Sequence, residues 1–224
     1  GSFSCSDETL NKIYDTAAYT CGLCLQNYIW DGIKRDRLVW VGDMHPEMLT
    51  VRSVFGDIPI VVETLDYIRN ATPLPNWMNN MPTYSLWWLI IVKDWYFYTG
   101  SEKFLEKNRE YIIPLSERVC SLVSPDGSDG IGYYFLDWST NGTEAGKYGS
   151  RALLVAALKA AEQLSISVTA FTTDYRFKAG AATLELRFVS PLPPSDPDLL
   201  SMPVCYMEYK VTGVKDAEIS LFVH

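Results

Sequence analysis

The chain has 224 residues, 48% of them hydrophobic and 21% charged, which is enough apolar side chain to bury a core and too little polarity for a disordered polymer. Its formal net charge of -8 and isoelectric point near 4.8 oppose binding to a phosphate backbone or an anionic membrane surface, because both require a positive field. A neutral partner fits better, and no stretch reaches the roughly 18 uninterrupted apolar residues of a membrane-spanning helix.

In chain order, Ser6 reads as the N-cap of a first helix, with Glu8 following and Leu10, Ile13, Tyr14 and Ala17 recurring at three-to-four spacing. Cys21 and Cys24 lie three apart inside it. A redox CxxC normally opens a helix at a strand end, and zinc needs further Cys or His partners, so these thiols and those of Cys5, Cys120 and Cys205 read as buried rather than as a redox pair or metal ligands. Further helical periods cover residues 59–68, 84–98, 101–122 and 150–164. Between them run polar or Pro/Gly-rich loops at 71–82 and 124–132. Paired helices with loops at one end suggest stacked α-hairpins, in which the helices are scaffold and the loops carry chemistry.

After Leu164 the period changes from helical to two. Residues 165–173, 175–178, 182–189, 205–212 and 218–223 read as strands rich in Val, Thr, Phe and Tyr, with the proline-rich loop 190–198 among them. The chain is therefore expected to divide into a mainly α region, 1–164, and a small β-sandwich-like segment, 165–224.

One loop concentrates chemistry. DGIKRDRLVWVGD, residues 31–43, supplies Asp31, Lys34, Arg35, Asp36, Arg37, Trp40 and Asp43, with Glu47 shortly beyond. Cleaving a glycosidic bond takes one carboxylic acid of raised pKa to protonate the leaving oxygen, a second carboxylate to activate water or attack, and an aromatic surface to hold the sugar. Neighbouring carboxylates raise one another's pKa and basic residues oppose the rise. The same charges also fit a solvated surface loop whose ion pairs contribute about 0–1 kcal/mol each.

The spacing Asp-x4-Asp-x3-Trp-x2-Asp in this segment resembles the signature of the inverting α-L-rhamnosidase family. Supporting matches are Phe3 with SDETLNKIYDTA before the motif, SLWWLIIVKDWYFYTGS after it and FLDWSTNG at 135–142, so the resemblance covers residues 3–164. It implies an (α/α)6 barrel, of which these helices make about half, with β-sandwich domains attached. It also implies a carbohydrate partner, no cofactor or metal, and a secreted or periplasmic enzyme. Carried over residue by residue, Asp31 and Asp43 bind the sugar hydroxyls, Arg35 pairs with that network, Trp40 lines the pocket, and Trp88 and Trp138 supply further aromatic surface. Asp36 takes the general-acid position, where family members generally carry Glu. The second carboxylate of an inverting site, roughly 6.5–9.5 Å away, is in that family a Glu on a late barrel loop, beyond the matching residues.

Residues 165–224 instead resemble the N-terminal β-sandwich region of a glutaminase-type family, which implies an amidohydrolase fragment as an alternative. A carbohydrate-binding protein without turnover is another. Other chemistries have little material. The histidines are His45 and His224 alone, too few for a Ser-His-Asp or Cys-His arrangement or for zinc-type spacing. Gly127, Gly130 and Gly132 lack the strand before and helix after that a dinucleotide fold requires, and no basic patch is interleaved with aromatics, which disfavours nucleic acid.

Overall fold

The computed structural model describes residues 1–165, 167–168, 172–179, 182–189 and 206–215. Six helices, α1 (Glu8–Cys24), α2 (Val41–Phe55), α3 (Pro59–Ala71), α4 (Pro82–Thr99), α5 (Glu102–Cys120) and α6 (Glu144–Ser165), are followed by strands β1 (Ser167–Val168), β2 (Thr172–Ala179), β3 (Ala182–Val189) and β4 (Tyr206–Thr212). Residues Gly1–Leu164 form one unit and the strands belong to a second, Ser165–His224.

Helix α1 is capped by Asp7 rather than Ser6: the Asp7 carboxylate accepts the backbone N–H of Thr9 at 2.8 Å and of Leu10 at 3.3 Å, satisfying N–H groups that no helical carbonyl reaches. Helix α2 has no counterpart among the predicted helices. Its buried Val41, Met44, Met48 and Val51 recur at helical spacing, but Gly42 and the internal Pro46 weaken the signal, and Trp40 provides no side-chain cap. The cap comes from elsewhere. Asn79, in the 3-10 turn Met78–Asn80, accepts the Val41 N–H on its Oδ1 at 3.1 Å and donates its Nδ2 to the Val39 carbonyl at 3.0 Å.

Proline stands at the start of α3 and of α4, where its missing N–H costs nothing. Gly100 ends α4 in the left-handed region, φ 62°, its N–H returning to the Tyr96 carbonyl at 2.7 Å. Ser101 then caps α5 by accepting the Phe104 N–H at 3.3 Å. Helix α4 sits at the centre of the helical core: Leu86, Trp88, Leu89, Ile91 and Val92 are wholly buried, packed against α2 on one side and α5 on another. A helix apolar over most of its surface belongs inside.

Helix α6 starts at Glu144, earlier than the predicted 150, through two glycines that read as breakers in the sequence. Both serve close approach. A Cβ on Gly146 would stand 2.3 Å from the Thr140 carbonyl oxygen, and one on Gly149 would stand 2.3 Å from Leu136 Cδ1. The loop 121–143 therefore packs onto this helix at a distance only glycine permits.

The described strands form one antiparallel sheet in the order β1-β2-β3-β4. Asp174 lies opposite both Ser167 and Arg187, and Glu185 lies opposite both Arg176 and Lys210; Arg176 and Glu185 close an exposed cross-strand ion pair at 3.3 Å. The predicted strand at 218–223, the loop at 190–198, Cys205 and His224 lie outside the described residues. Among the described cysteines, Cys5 and Cys120 are exposed free thiols and not buried as expected, because each stands at a chain or helix end facing solvent, while Cys21 and Cys24 are half-buried and free.

Candidate active site

The loop from residue 25 to 40 is held at both ends by hydrogen bonds to neighbouring elements. At its entry Thr64 of α3 donates its hydroxyl to the Ile60 carbonyl at 2.6 Å and accepts the Ile29 N–H at 3.0 Å. Inside the loop Asp31 and Leu38 bond twice: the Asp31 N–H donates to the Leu38 carbonyl at 3.3 Å, and the Leu38 N–H donates to the Asp31 carboxylate at 3.1 Å. This pins the ends of the KRDR hairpin together. Asp36 and Arg37 take positive φ, 48° and 56°, a conformation that costs a non-glycine residue on the order of 1 kcal/mol and recurs at functional loops. At the exit, Asn79 fixes Val39 and Val41 as described above.

Asp36 is exposed, and its Oδ2 accepts the Trp40 indole N–H at 3.3 Å. Arg37 lies over the Trp30 ring at 4.9 Å. Trp40 stands edge-on to Tyr84 with centroids 6.3 Å apart, and Tyr84 in turn lies so close to Gly42 that a Cβ there would come within 2.3 Å of its ring. Asp43 occupies the first turn of α2, where the positive end of the helix dipole favours a carboxylate. Burial nevertheless raises its pKa, and Asp31 and Asp137 raise it further, while Arg35 works in the opposite sense.

Glu47 is one turn further along α2. Burial, then Asp43 and Asp31, push its pKa up to about 7, so near neutral pH this carboxyl is half protonated. The phenol of Tyr84 is pushed to about 12 by burial and by Asp43, Asp137 and Tyr133. Asp31, Asp43, Glu47 and Asp137 thus share one electrostatic field, with Arg35 as its counter-charge. Raised carboxyl pKa values of this kind are what acid catalysis at neutral pH requires.

The third contributor is the loop at 133–138. Thr83 donates its hydroxyl to the Phe135 carbonyl at 2.5 Å, and the Asp137 carboxylate accepts the Trp138 N–H at 2.7 Å, opening the 3-10 turn Trp138–Thr140. Trp138 is 81% exposed and edge-on to Phe135 at 5.2 Å. Of the residues singled out in the sequence, Asp31, Arg35, Asp36, Trp40 and Asp43 are therefore carried by one loop and the turn after it, and Trp138 stands on a loop tied to the same end of α4. Trp88 does not join them. It is fully buried, donates its indole N–H to the Leu65 carbonyl at 3.4 Å and meets Tyr111 edge-on at 5.2 Å, as a core residue does; the apolar neighbours of its helix explain this.

Sequence reasoning left Glu47 undecided and passed over Asp137, Tyr84 and Asn79. Glu47 had a signal in its i+4 spacing from Asp43, and Asp137 in its place beside Trp138. Asn79 had none, since its partners are some forty residues away. Among the described residues no group of three His, Cys, Asp or Glu side chains is arranged to hold a metal ion, and no helix is long and apolar enough to cross a membrane. His45 is engaged elsewhere, its Nε2 2.9 Å from Asp94 and its ring stacked on Trp87 at 5.2 Å.

No curated protein matches the sequence. A solved structure, the crystal structure of a GH78 family rhamnosidase of Bacillus sp. GL1, is similar over 73% of this chain with 23% identity and a TM-score of 0.55. At that identity the likeness speaks for the fold. The chain spans about a fifth of that protein's length, covering 20% of it. The family described as bacterial alpha-L-rhamnosidase 6 hairpin glycosidase domain matches residues 1–198, from the first helix past Leu164 and beyond β3. The chain belongs to this bacterial alpha-L-rhamnosidase six-hairpin glycosidase family.

Proposed function

We propose that this region serves the inverting hydrolysis of terminal α-L-rhamnosyl residues in a neutral glycan, with its six helices as three hairpins of an (α/α)6 barrel and the sheet as part of a β-sandwich. The observation that carries the reading is the field of carboxylates around Trp40: Asp31, Asp43 and Glu47 act on one another while the Asp36 carboxylate accepts the Trp40 indole N–H. Asp36 is the general acid, Asp31 and Asp43 bind hydroxyls, Arg35 balances their charge, and Trp40 and Trp138 stack on sugar rings. Glu47, held near a pKa of about 7, keeps a proton close to Asp43 and tempers the negative charge of the pocket. The second carboxylate of an inverting pair, which activates water across the sugar, is supplied from outside this region.

The test is release of p-nitrophenol from p-nitrophenyl α-L-rhamnoside by the whole protein, with the anomer first formed read by proton NMR. Release with β-L-rhamnose appearing first is expected; α-L-rhamnose appearing first would overturn inversion. A second reading, sugar binding without turnover, is favoured by Asp36 itself, whose side chain is one methylene shorter than the Glu of the resembling family and is occupied by Trp40 at 3.3 Å. Rhamnose binding with no release would select it. The amidohydrolase alternative draws only on the strand segment, and the family match reaches residue 198 within that segment; ammonia release from glutamine would be its signature.

A further inference from the structure

We infer that His45 and Asp94 are a positioning pair for the carboxylates of α2. The bond between them fixes how that helix is turned against α4, and with it where Asp43 and Glu47 stand in the pocket. This rests on the glycoside hydrolase reading above. Helix α2 is poorly equipped to hold its own first two turns. Trp40 gives it no side-chain cap, and Pro46 carries no N–H, so the Gly42 carbonyl receives no bond from the residue four further on. That missing bond falls in the turn that separates Asp43 from Glu47. A proline ring inside a helix also crowds the carbonyl four residues back and tends to kink the axis there. Buried Val41, Met44, Met48 and Val51 press α2 onto the core, but apolar contact is non-directional and sets rotation about the axis only loosely. The Asn79 cap secures Val41, ahead of the proline; the directional tie beside the proline comes from α4.

His45 lies two residues from both Asp43 and Glu47, which puts it on the other flank of the buried stripe. Its Nε2 stands 2.9 Å from the Asp94 Oδ2, and its ring is stacked on Trp87 at 5.2 Å with planes 27° apart. Trp87 and Asp94 are seven residues apart, about two turns along one face of α4. One imidazole spans them, so a rotation or slide of α2 breaks one contact or the other. Gly42 continues the seam one turn earlier, since a Cβ there would overlap the Tyr84 ring. Burial works to raise the Asp94 pKa, but the bonds from Lys93 and His45 outweigh it and hold the carboxyl below its ordinary value. Asp94 is therefore an ionised acceptor and the His45 Nε2 is the donor, with Lys93 on the other carboxylate oxygen. The two side chains are 23% and 25% exposed, so the pair is less screened than a surface salt bridge, and a hydrogen bond, unlike apolar contact, has a preferred angle. Both residues act on the reaction through the placing of Asp43 and Glu47.

Kinetics of the whole protein on p-nitrophenyl α-L-rhamnoside, at a temperature where circular dichroism shows every variant folded, test this. His45→Phe keeps a ring on Trp87 and removes the donor. It should lower kcat/KM about tenfold, less than the roughly 10²-fold that a displacement of about 1 Å costs, with KM rising as Asp43 loses its place. His45→Gln carries an amide N–H at similar reach and should restore most of the loss, which a role in packing alone would not. Asp94→Ala should match His45→Phe, and the two together should lose no more than either alone, because they delete one bond. Unchanged kcat/KM in His45→Phe would overturn the pairing, as would losses that multiply in the double variant or a His45→Gln enzyme as slow as His45→Phe. Where the wild type binds L-rhamnose without turnover, its dissociation constant takes the place of kcat/KM in the same comparison. A wild type that neither releases p-nitrophenol nor binds L-rhamnose would end the glycoside hydrolase reading, and the inference with it.

Discussion

Helix α4 and the loop at 25–40 are held in place by opposite means. α4 is apolar over most of its surface, Lys93 and Asp94 apart, and its position follows from burial, which stabilises at about 25 cal/mol per Å² of apolar surface. The loop buries Ile29 and Val39 and leaves the residues between them half-buried or exposed; it is fixed by a handful of polar contacts from Thr64, Asn79 and its own Asp31. Trp88 and Trp138 show the contrast in a single residue type: one is at 0% exposure and the other at 81%. Core residues answer to packing from all directions, so their loss is felt in stability. Loop residues answer to a few directional bonds, and their loss is felt in binding and catalysis.

Four experiments break or sharpen this contrast. The largest effect is expected at Asp36. Replacing it by Asn removes the proposed proton donor and should cut p-nitrophenol release by about 10²–10⁴-fold with little change in the melting temperature. Replacing it by Glu lengthens the donor by one methylene and should raise the rate, since misplacement by about 1 Å costs on the order of 10²-fold. A slower Asp36→Glu enzyme would show that the loop has adapted to the shorter acid.

Next in size, Trp88→Ala should destabilise the helical region by about 3–5 kcal/mol in denaturant unfolding, whereas Trp138→Ala should stay within about 0.5 kcal/mol and weaken sugar binding instead. Comparable stability losses from the two would erase the distinction between core and loop. Asn79→Ala tests the polar ties. Losing its bonds to Val41 and Val39 should cost about 1–2 kcal/mol and raise KM, because the residues from Asp36 to Asp43 lose the anchor at their centre. Asn79→Asp should recover the bond accepted from the Val41 N–H and lose the one donated to the Val39 carbonyl.

The smallest expected effect concerns pH. Glu47 has its pKa raised from 4.5 to about 7, so the folded state holds its proton more tightly than the unfolded chain does. Its contribution to stability is fully present below about pH 4.5 and is lost as pH rises through about 7. Over that window the wild type should lose on the order of 2 kcal/mol to this group, and Glu47→Gln should flatten the slope. Urea midpoints measured at intervals from pH 4.5 to 8 decide it; an unchanged slope would mean that Glu47 is better solvated than its neighbours imply.

Much of the helical region was legible in the sequence because the helices that bury a stripe of side chains announce it. Those of α3, α4 and α5 follow from their periodicity, α3 starting at Pro59 as expected, while α4 begins at Pro82, two residues ahead of its expected start, because a proline in the first turn needs no N–H partner. The strand β3 follows in the same way from alternation, whereas β2 runs unbroken from Thr172 to Ala179 through Asp174, where a break between two strands was expected. What escaped was whatever depended on a distant partner. α2 carries Gly42 and Pro46 and borrows its cap from Asn79; the first turns of α6 carry Gly146 and Gly149, which look like breakers until Thr140 and Leu136 are seen against them. Asp7 replaced Ser6 as the first cap because its carboxylate reaches two N–H groups.

The site divides along the same line. The sequence by itself determined the inventory, since Asp31, Asp36, Trp40 and Asp43 lie within thirteen consecutive residues and no folding is needed to bring them near one another. The tertiary structure alone decided what surrounds them: Glu47 drawn into the same field, Tyr84 wedged against Gly42, the 133–138 loop tied to Thr83, and Trp88 taken away into the core. Spacing along a chain fixes which groups are neighbours, but the pKa of a carboxyl and the exposure of an indole depend on what packs against them from elsewhere, and that is settled only when the helices meet.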